Sequence, residues 1–306
     1  MPSPSDITVI VCTRNRPAML RGALAAILAA SPPGAEVLVV DSASDGPDTR
    51  SAAEAAGVAC VRSGRGLSVA RNVGIAASTR PIVVFTDDDC RPTDGWIERL
   101  LACFDDADVG AATGRMLDHT EAADAPYSRA ERYRTPISGI DAGHGAVMAF
   151  RRELLLRLGG FDDVMGAGQR LAGAEDLDIF VRILRAGADV VHDARCVVLH
   201  ANTREGEAYV ELHHGYGLGL GALTGKWLRR EPLLGLRLGW RLAGRAVARI
   251  VRAAGRGAPT AADRALLAGM LAGVWEVRTL RLVGERFVPP WADDDAPVLR
   301  AEGVPA

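Results

Sequence analysis

ITVIVCT (7–13), EVLVVDS (36–42), VACVRS (58–63) and PIVVFTD (81–87) are short, apolar and rich in β-branched residues, and each is bounded by turn-forming or charged residues. Such runs read as buried strands. The segments between them, 17–30, 47–57 and 67–78, have helical composition, and Pro17 and Pro47 sit at first-turn positions, where a missing N–H costs nothing. Strand–helix–strand alternation at this spacing requires parallel strands joined by right-handed crossovers. The fold class is therefore α/β, a mostly parallel sheet flanked by helices.

Working outward, the pattern predicts a helix over 94–104, a strand over 109–114, a polar irregular stretch from Leu117 to Asp141 and an apolar strand AVMAF (146–150). A helix over 175–186 carries an apolar stripe at Leu177, Phe180, Val181 and Leu184, the spacing of a core-facing helix. Gly187 ends it, and ADVVHDARCVVLH (188–200) returns as strand. Beyond His200 the chain turns helical and rich in Arg and Leu. The expected organisation is an α/β domain over 1–203, a helical annex over 204–287 and a disordered tail over 288–306.

Composition bounds the function. The 306 residues, 48 % hydrophobic and 24 % charged, suffice for one large domain with an annex and argue against wholesale disorder. Five cysteines (Cys12, Cys60, Cys90, Cys103, Cys196) lack zinc-like spacing and read as buried, inert thiols in a reducing compartment. No signal peptide is evident, and the longest uncharged stretches, 22–35 and 212–225, fall short of the roughly 20 residues of a membrane span. The expected location is cytoplasmic. The net charge of −2 hides an asymmetry, because 226–256 holds nine basic residues against Glu231 alone.

In open parallel sheets, ligands bind at the carboxyl ends of strands. Here those ends are Thr13-Arg14-Asn15-Arg16, Asp41-Ser42-Ala43-Ser44 and Asp87-Asp88-Asp89. Asp87 and Asp89, two residues apart in an extended segment, can face one site together. Two carboxylates that close repel unless a cation lies between them, and oxygen ligands favour Mg²⁺ or Mn²⁺; the plainer alternative is an acidic turn. The chain lacks GxGxxG after its first strand and lacks GxxxxGK[ST], which argues against a dinucleotide oxidoreductase or a P-loop ATPase. A bound diphosphate would therefore need a metal and arginines, for which Arg14, Arg16 and Arg71 are candidates.

In AEDLD, Glu175 and Asp176 occupy the first turn of a helix, whose N-terminus keeps a carboxylate ionised and ready to accept a proton. The alternative is plain complementation of the helix dipole. His200, ending the strand VVLH, is either structural or a ligand of the same cation.

The ordered series CTRNRP, VVDSASDG, GLSVARNVGIAAS, FTDDDC, GHGAVMAFRRELL, GGFDD, AEDLDIFVRILRAG and VVLH resembles the family 2 glycosyltransferases of GT-A fold, over about two thirds of the chain. The resemblance implies an inverting transfer of a sugar from a nucleotide-diphosphate donor, with UDP the expected nucleotide, onto an acceptor hydroxyl. By the same resemblance Thr13, Arg14, Asn15, Arg16, Asp41 and Ser44 would hold the nucleoside, while Arg71 and Asn72 approach the diphosphate or ribose. Asp87 would reach ribose or sugar, Asp89 would bind Mn²⁺ or Mg²⁺ with Asp88 sharing either task, and His200 would complete the metal site. Asp176 would be the general base, Glu175 would place donor or acceptor, and His144 and Gly145 would border the acceptor. Val147 stands where the family often has Asn, and His144 is an unusual neighbour, so the acceptor class stays open. The competing readings are a sugar-nucleotide-forming nucleotidyltransferase, which should carry a Gly-rich basic loop after its first strand, and a non-catalytic nucleotide-sugar-binding protein.

After His200 the resemblance ends. Arg237, Arg241, Arg245 and Arg249 recur every four residues, with Leu238, Leu242 and Ile250 filling the remaining faces. Such a helix suits an anionic membrane surface, which would make the protein peripheral at the inner membrane face, or else a lid or a homodimer element. Nucleic acid is not expected, since the basic stripe lacks interleaved aromatics and the rest of the chain is acidic.

Overall fold

The computed structural model describes residues 2–119, 130–201 and 205–288. Strands β1 (Ile7–Thr13), β2 (Glu36–Ser42), β3 (Ala59–Ser63) and β4 (Ile82–Asp87) form on the four apolar runs, separated by α1 (Pro17–Ala30), α2 (Asp48–Ala55) and α3 (Leu67–Ala77). They pair in the order β3-β2-β1-β4, all parallel. Every residue of β1 is buried, and its side chains alternate between two layers. Ile7, Val9 and Val11 join Leu20, Leu24 and Ile27 of α1, whereas Ile10 and Cys12 join Ala70 and Ile75 of α3.

Beyond β4 come β5 (Cys90–Pro92), α4 (Trp96–Cys103), β6 (Val109–Asp118), β7 (Glu131–Tyr133), β8 (Val147–Arg151), α5 (Arg152–Arg157), α6 (Glu175–Arg185) and β9 (Asp189–His200). Here the sheet is mixed. β8 runs antiparallel to both β4 and β6, β6 lies parallel to β9, and β5 and β7 flank β9 antiparallel. The connection from β6 to β8 carries no crossover helix among its described residues, so the chain returns antiparallel. The stretch expected to be irregular differs too: β6 continues to Asp118, and β7 and a 3₁₀ turn at Pro136–Asp141 follow, with 120–129 outside the described residues.

The sheet cannot be flat. Along its hydrogen-bonded path β5 stands four strands from β4, roughly 19 Å at a spacing of ~4.8 Å per strand. Only Asp88 and Asp89 separate the two strands in sequence, and three extended residue steps reach at most about 11 Å. Curling closes the gap and leaves the aspartate run bridging the end of β4 and the edge strand β5.

The described residues divide into two compact units, one drawn from 2–119, 130–161 and 179–201, the other from 162–178 and 205–288. Helix α6 is continuous across this division, so its first turn groups with the helical unit. The tail expected over 288–306 lies outside the described residues except for Val288.

The helical unit comprises α7 (Gly206–Arg230), α8 (Pro232–Gly255), α9 (Ala261–Val277) and a hairpin of β10 (Arg281–Val283) and β11 (Arg286–Val288). Bare backbone allows α7 and α9 to touch. A Cβ on Gly221 would overlap the Met270 carbonyl oxygen, and one on Gly273 the Leu218 carbonyl oxygen. Gly219 likewise admits the backbone of Gly173, two residues before α6. At the end of α7, Lys226, the sole lysine of the chain, is fully buried. Its Nζ donates to Asp162 (2.7 Å) and Asp178 (2.8 Å), both fully buried, and lies 5.1 Å from the Phe287 ring centroid. Asp162 also accepts from the Phe287 N–H at 2.8 Å. Helix α8 has an inner and an outer apolar face. Leu238 and Leu242 point into the protein, 0 % and 7 % exposed, while Leu233, Leu236, Trp240, Val247 and Val251 face solvent.

Two stability predictions follow from these contacts. Lys226→Met should lower unfolding free energy by about 3–5 kcal/mol, because it strands two buried carboxylates. Lys226 holds the Asp162 carboxyl below its ordinary value, so the contribution of this tie should persist through neutral pH and fade only as pH falls below the usual carboxylate range. Gly221→Val should cost about 1–3 kcal/mol by forcing α7 from α9. Urea denaturation monitored by circular dichroism reads both.

Candidate active site

Register brings the strand ends together. Thr13 at the end of β1 pairs with Asp41 of β2, Cys12 pairs with Asp87 of β4, and Asp41 pairs with Arg62 of β3. Two tight turns leave these ends with positive φ at residues that are not glycine, Asn15 (56°) and Ala43 (56°). Ser44 locks the turns to one another: its hydroxyl accepts the Asn15 N–H at 2.9 Å and lies 3.0 Å from the Thr49 hydroxyl. The Asn15 side chain exchanges two hydrogen bonds with Asp45, at 2.7 and 2.9 Å. Arg14 donates to the Ala43 carbonyl at 3.2 Å.

Asp41 is buried and engaged at both oxygens, by the Ser44 N–H (2.9 Å) and by Arg62 (2.8 Å), which also donates to the Ser44 carbonyl (2.8 Å). Arg62 was missed in the sequence, although it ends the apolar run of β3 just as Asp41 nearly ends that of β2.

The aspartate run divides by environment. Asp88, 3 % exposed, accepts from the Thr13 hydroxyl (2.5 Å) and from Arg16 (2.6 Å). Burial pushes its carboxyl above the ordinary value, against the pull of Thr13 and Arg16. Asp89 meets Arg16 with one oxygen at 2.9 Å, and its other oxygen lies 3.5 Å from His200 Nε2. Asp87 lies 3.8 Å from the buried guanidinium of Arg71, which also donates to the Gly145 carbonyl at 3.3 Å. Arg71 therefore ties Asp87 to the 143–145 loop, where His144 stands exposed. The Phe85 and Phe161 rings pack against Arg71 at 5.9 and 5.3 Å.

Asp87, Asp89 and Cys90 place one ligand atom each within 4.8 Å of one another. His200 approaches the same carboxylate, because Cys90 of β5 pairs with His200 of β9. Two carboxylates with an imidazole fit a Mn²⁺ or Mg²⁺ ion, whose ligand atoms stand a few ångströms apart around bonds of ~2.0–2.2 Å. Burial pushes the Cys12 thiol up to about 12, and burial with Asp87 and Asp89 raises Cys90 further.

Asn72 is tied to the backbone of Phe161. Its side-chain amide donates to the Phe161 carbonyl (2.9 Å) and accepts the Phe161 N–H (2.8 Å), fixing the end of the GGF turn. Glu175 and Asp176 lie in the other unit, on the first turn of α6. Ala174 precedes them with a positive φ of 59°. Glu175 is 7 % exposed, and the half-buried Asp176 accepts the Leu177 N–H at 2.8 Å.

The profile described as "Glycosyl transferase family 2" matches residues 8–159. The pre-mycofactocin glycosyltransferase of Mycobacterium tuberculosis is 29 % identical over 234 residues, covering 71 % of this chain and 47 % of the relative. The glucosyl-dolichyl phosphate glucuronosyltransferase of Haloferax volcanii is 24 % identical over 154 residues, 46 % of this chain and 49 % of the relative. The chain thus spans about half the length of the curated relatives it matches. Among solved structures, a mannosyltransferase from Pyrobaculum calidifontis, in complex with GDP-Man and Mn²⁺, superposes with a TM-score of 0.63 at 24 % identity, covering 90 % of each chain. That likeness establishes a GT-A fold with a curled central sheet. With the strand ends, the aspartate run and the matched profile in agreement, the chain belongs to glycosyl transferase family 2.

Proposed function

We propose that the protein is an inverting, divalent-metal-dependent glycosyltransferase that moves a sugar from a nucleoside-diphosphate donor onto an acceptor hydroxyl. The observation that carries this reading is the juxtaposition of Asp87 and Asp89, within 4.8 Å, at the end of β4, which runs parallel to β1, whose last residue Thr13 pairs in turn with Asp41 of β2. The names of both curated relatives, and the GDP-Man and Mn²⁺ held by the structural neighbour, agree with it.

Each side chain has a role in this reading. The turns held by Asn15, Asp41 and Ser44 shape the nucleoside end of the site. Arg16 and Arg71 supply positive charge near the diphosphate, with Arg14 at the rim. Asp87 accepts from ribose or sugar hydroxyls, Asp89 and His200 hold the cation, and Asp88 fixes Thr13 and Arg16. A divalent cation bound there offsets negative charge on the leaving diphosphate. His144 and Gly145 border the acceptor, and Glu175 places it. Asp176 takes the proton of the acceptor hydroxyl as that oxygen bonds to the anomeric carbon; the carbon–oxygen bond to the diphosphate breaks, and its electron pair leaves with the diphosphate. One displacement inverts the configuration.

UDP- and GDP-sugars form the panel that identifies the donor, read by thermal shift with and without Mn²⁺. A matching donor should raise the melting temperature in a Mn²⁺-dependent way, and Asp89→Asn should abolish that dependence. No Mn²⁺-dependent rise with any donor would overturn the metal assignment. Asp176→Asn should reduce kcat by about 10²–10⁴-fold with the donor KM little changed. Turnover near wild type in that variant would remove Asp176 from the mechanism.

A further inference from the structure

The outward face of α8 has no role in the proposed chemistry. Leu233, Leu236, Trp240, Val247 and Val251 are 71 %, 61 %, 84 %, 49 % and 65 % exposed. Their spacing of three, four, seven and four residues puts them on one line along the helix, opposite the buried Leu234, Leu238, Leu242 and Ala246. A soluble surface rarely leaves such an apolar line uncovered, and a tryptophan at 84 % exposure is costly in water. From Pro232 to Ala262 the chain has six arginines (Arg237, Arg241, Arg245, Arg249, Arg252, Arg256) and no acidic residue. In projection Arg237 and Arg241 border one side of the line, and Arg252 lies further round on that same side. Arg249 turns away to pair with Asp263 at 2.6 Å.

We propose that this face of α8 lies flat on an anionic lipid bilayer, with the apolar line sunk to the headgroup–acyl boundary and the flanking arginines on lipid phosphates. Three features select this occupant. The arginine flank matches a negative surface, and Trp240 brings an amphipathic ring of the kind that settles at the lipid–water interface. No helix among the described residues is long and apolar enough to cross a membrane, so α8 lies in the plane of the surface. A second copy docked on the same face would set arginines against arginines with no carboxylate between Pro232 and Ala262 to relieve them. The proposal is independent of the sugar-transfer chemistry, because it needs neither donor nor cation.

Co-flotation of the full chain tests it, with phosphatidylcholine vesicles containing phosphatidylglycerol against phosphatidylcholine alone, at low and high salt. The protein should float with the anionic vesicles at low salt and much less with the neutral ones. Trp240→Ser combined with Leu236→Ser should cut the partition at least ~10-fold while leaving the melting temperature unchanged, since these side chains meet solvent in the free protein. Arg237→Gln and Arg241→Gln should each weaken it roughly fivefold and flatten its salt dependence. The proposal fails if the protein stays with the buffer at low salt, or if it floats equally with the serine variant. It also fails if light scattering shows a dimer that the serine variant dissociates without any vesicle binding, which would give the face to a second copy. Retention on duplex DNA without vesicle binding would equally overturn it.

Discussion

Three consecutive carboxylates at the end of a central strand are the constraint around which the α/β unit is arranged. Asp88 and Asp89 are 3 % and 8 % exposed, and charges removed from water at that spacing are unfavourable unless countered. The chain counters them locally. Arg16 bridges Asp88 and Asp89, Thr13 donates to Asp88, and Arg71 stands beside Asp87. These partners come from the end of β1 and from α3, so the electrostatic solution presupposes the parallel β1–β4 pairing and the packing of α3 on it. The same run then has to reach β5, which is what imposes the curl. Fold and charge are thus one problem: a flat sheet would carry the edge strand, and His200 with it, out of reach of Asp89.

Backbone strain marks the same places. Among the described residues, Asn15, Ala43 and Ala174 are the non-glycine positions with positive φ, a conformation costing of order 1–3 kcal/mol each. One follows β1, one follows β2, and one precedes the first turn of α6 that bears Glu175 and Asp176. Ordinary loops avoid such a cost by using glycine, as Gly57, Gly95 and Gly187 do here. At Asn15 the strain is offset by the paired bonds to Asp45 and the N–H bond to Ser44. At Ala43 the Asp41–Ser44–Arg62 ring holds the turn. The strain therefore serves to hold polar groups at strand ends in one arrangement before any ligand arrives.

Much of the fold was legible because its signals are local. The four parallel strands, α1 and the stripe of α6 are written as runs and periodicities, which need no knowledge of distant contacts. The illegible parts depend on contacts far apart in sequence. Nothing in AVMAF announces that β8 is antiparallel to β4, and nothing in the glycines of α7 names α9 as their partner. Likewise Leu238 and Leu242 share their composition with Leu233 and Leu236, so only packing separates an inner from an outer face of α8. In the candidate site, residue types pointed to the strand ends that register brings together, but their partners are not written in residue type. Asn72, expected near a ligand, has its amide taken up by the Phe161 backbone, and Arg62 became visible only through its register with Asp41.

Two aspartate clusters in this chain show how geometry rather than residue type separates structure from chemistry. Asp162 and Asp178 are closed off from solvent around Lys226, with the Phe287 N–H completing the set. All three side chains are fully buried, and a buried, paired charge of this kind fixes the chain. Asp87 and Asp89 have the same side chains but a different setting. The Asp87 carboxylate is 32 % exposed, and one oxygen of Asp89 faces an imidazole at 3.5 Å rather than a fixed cation. The arginines offset the mutual repulsion of this cluster without closing off Asp87, which keeps the access to solvent that coordinating a cation or a phosphate-bearing ligand requires. A closed ion pair stabilises a fold, whereas a countered but open one can exchange partners.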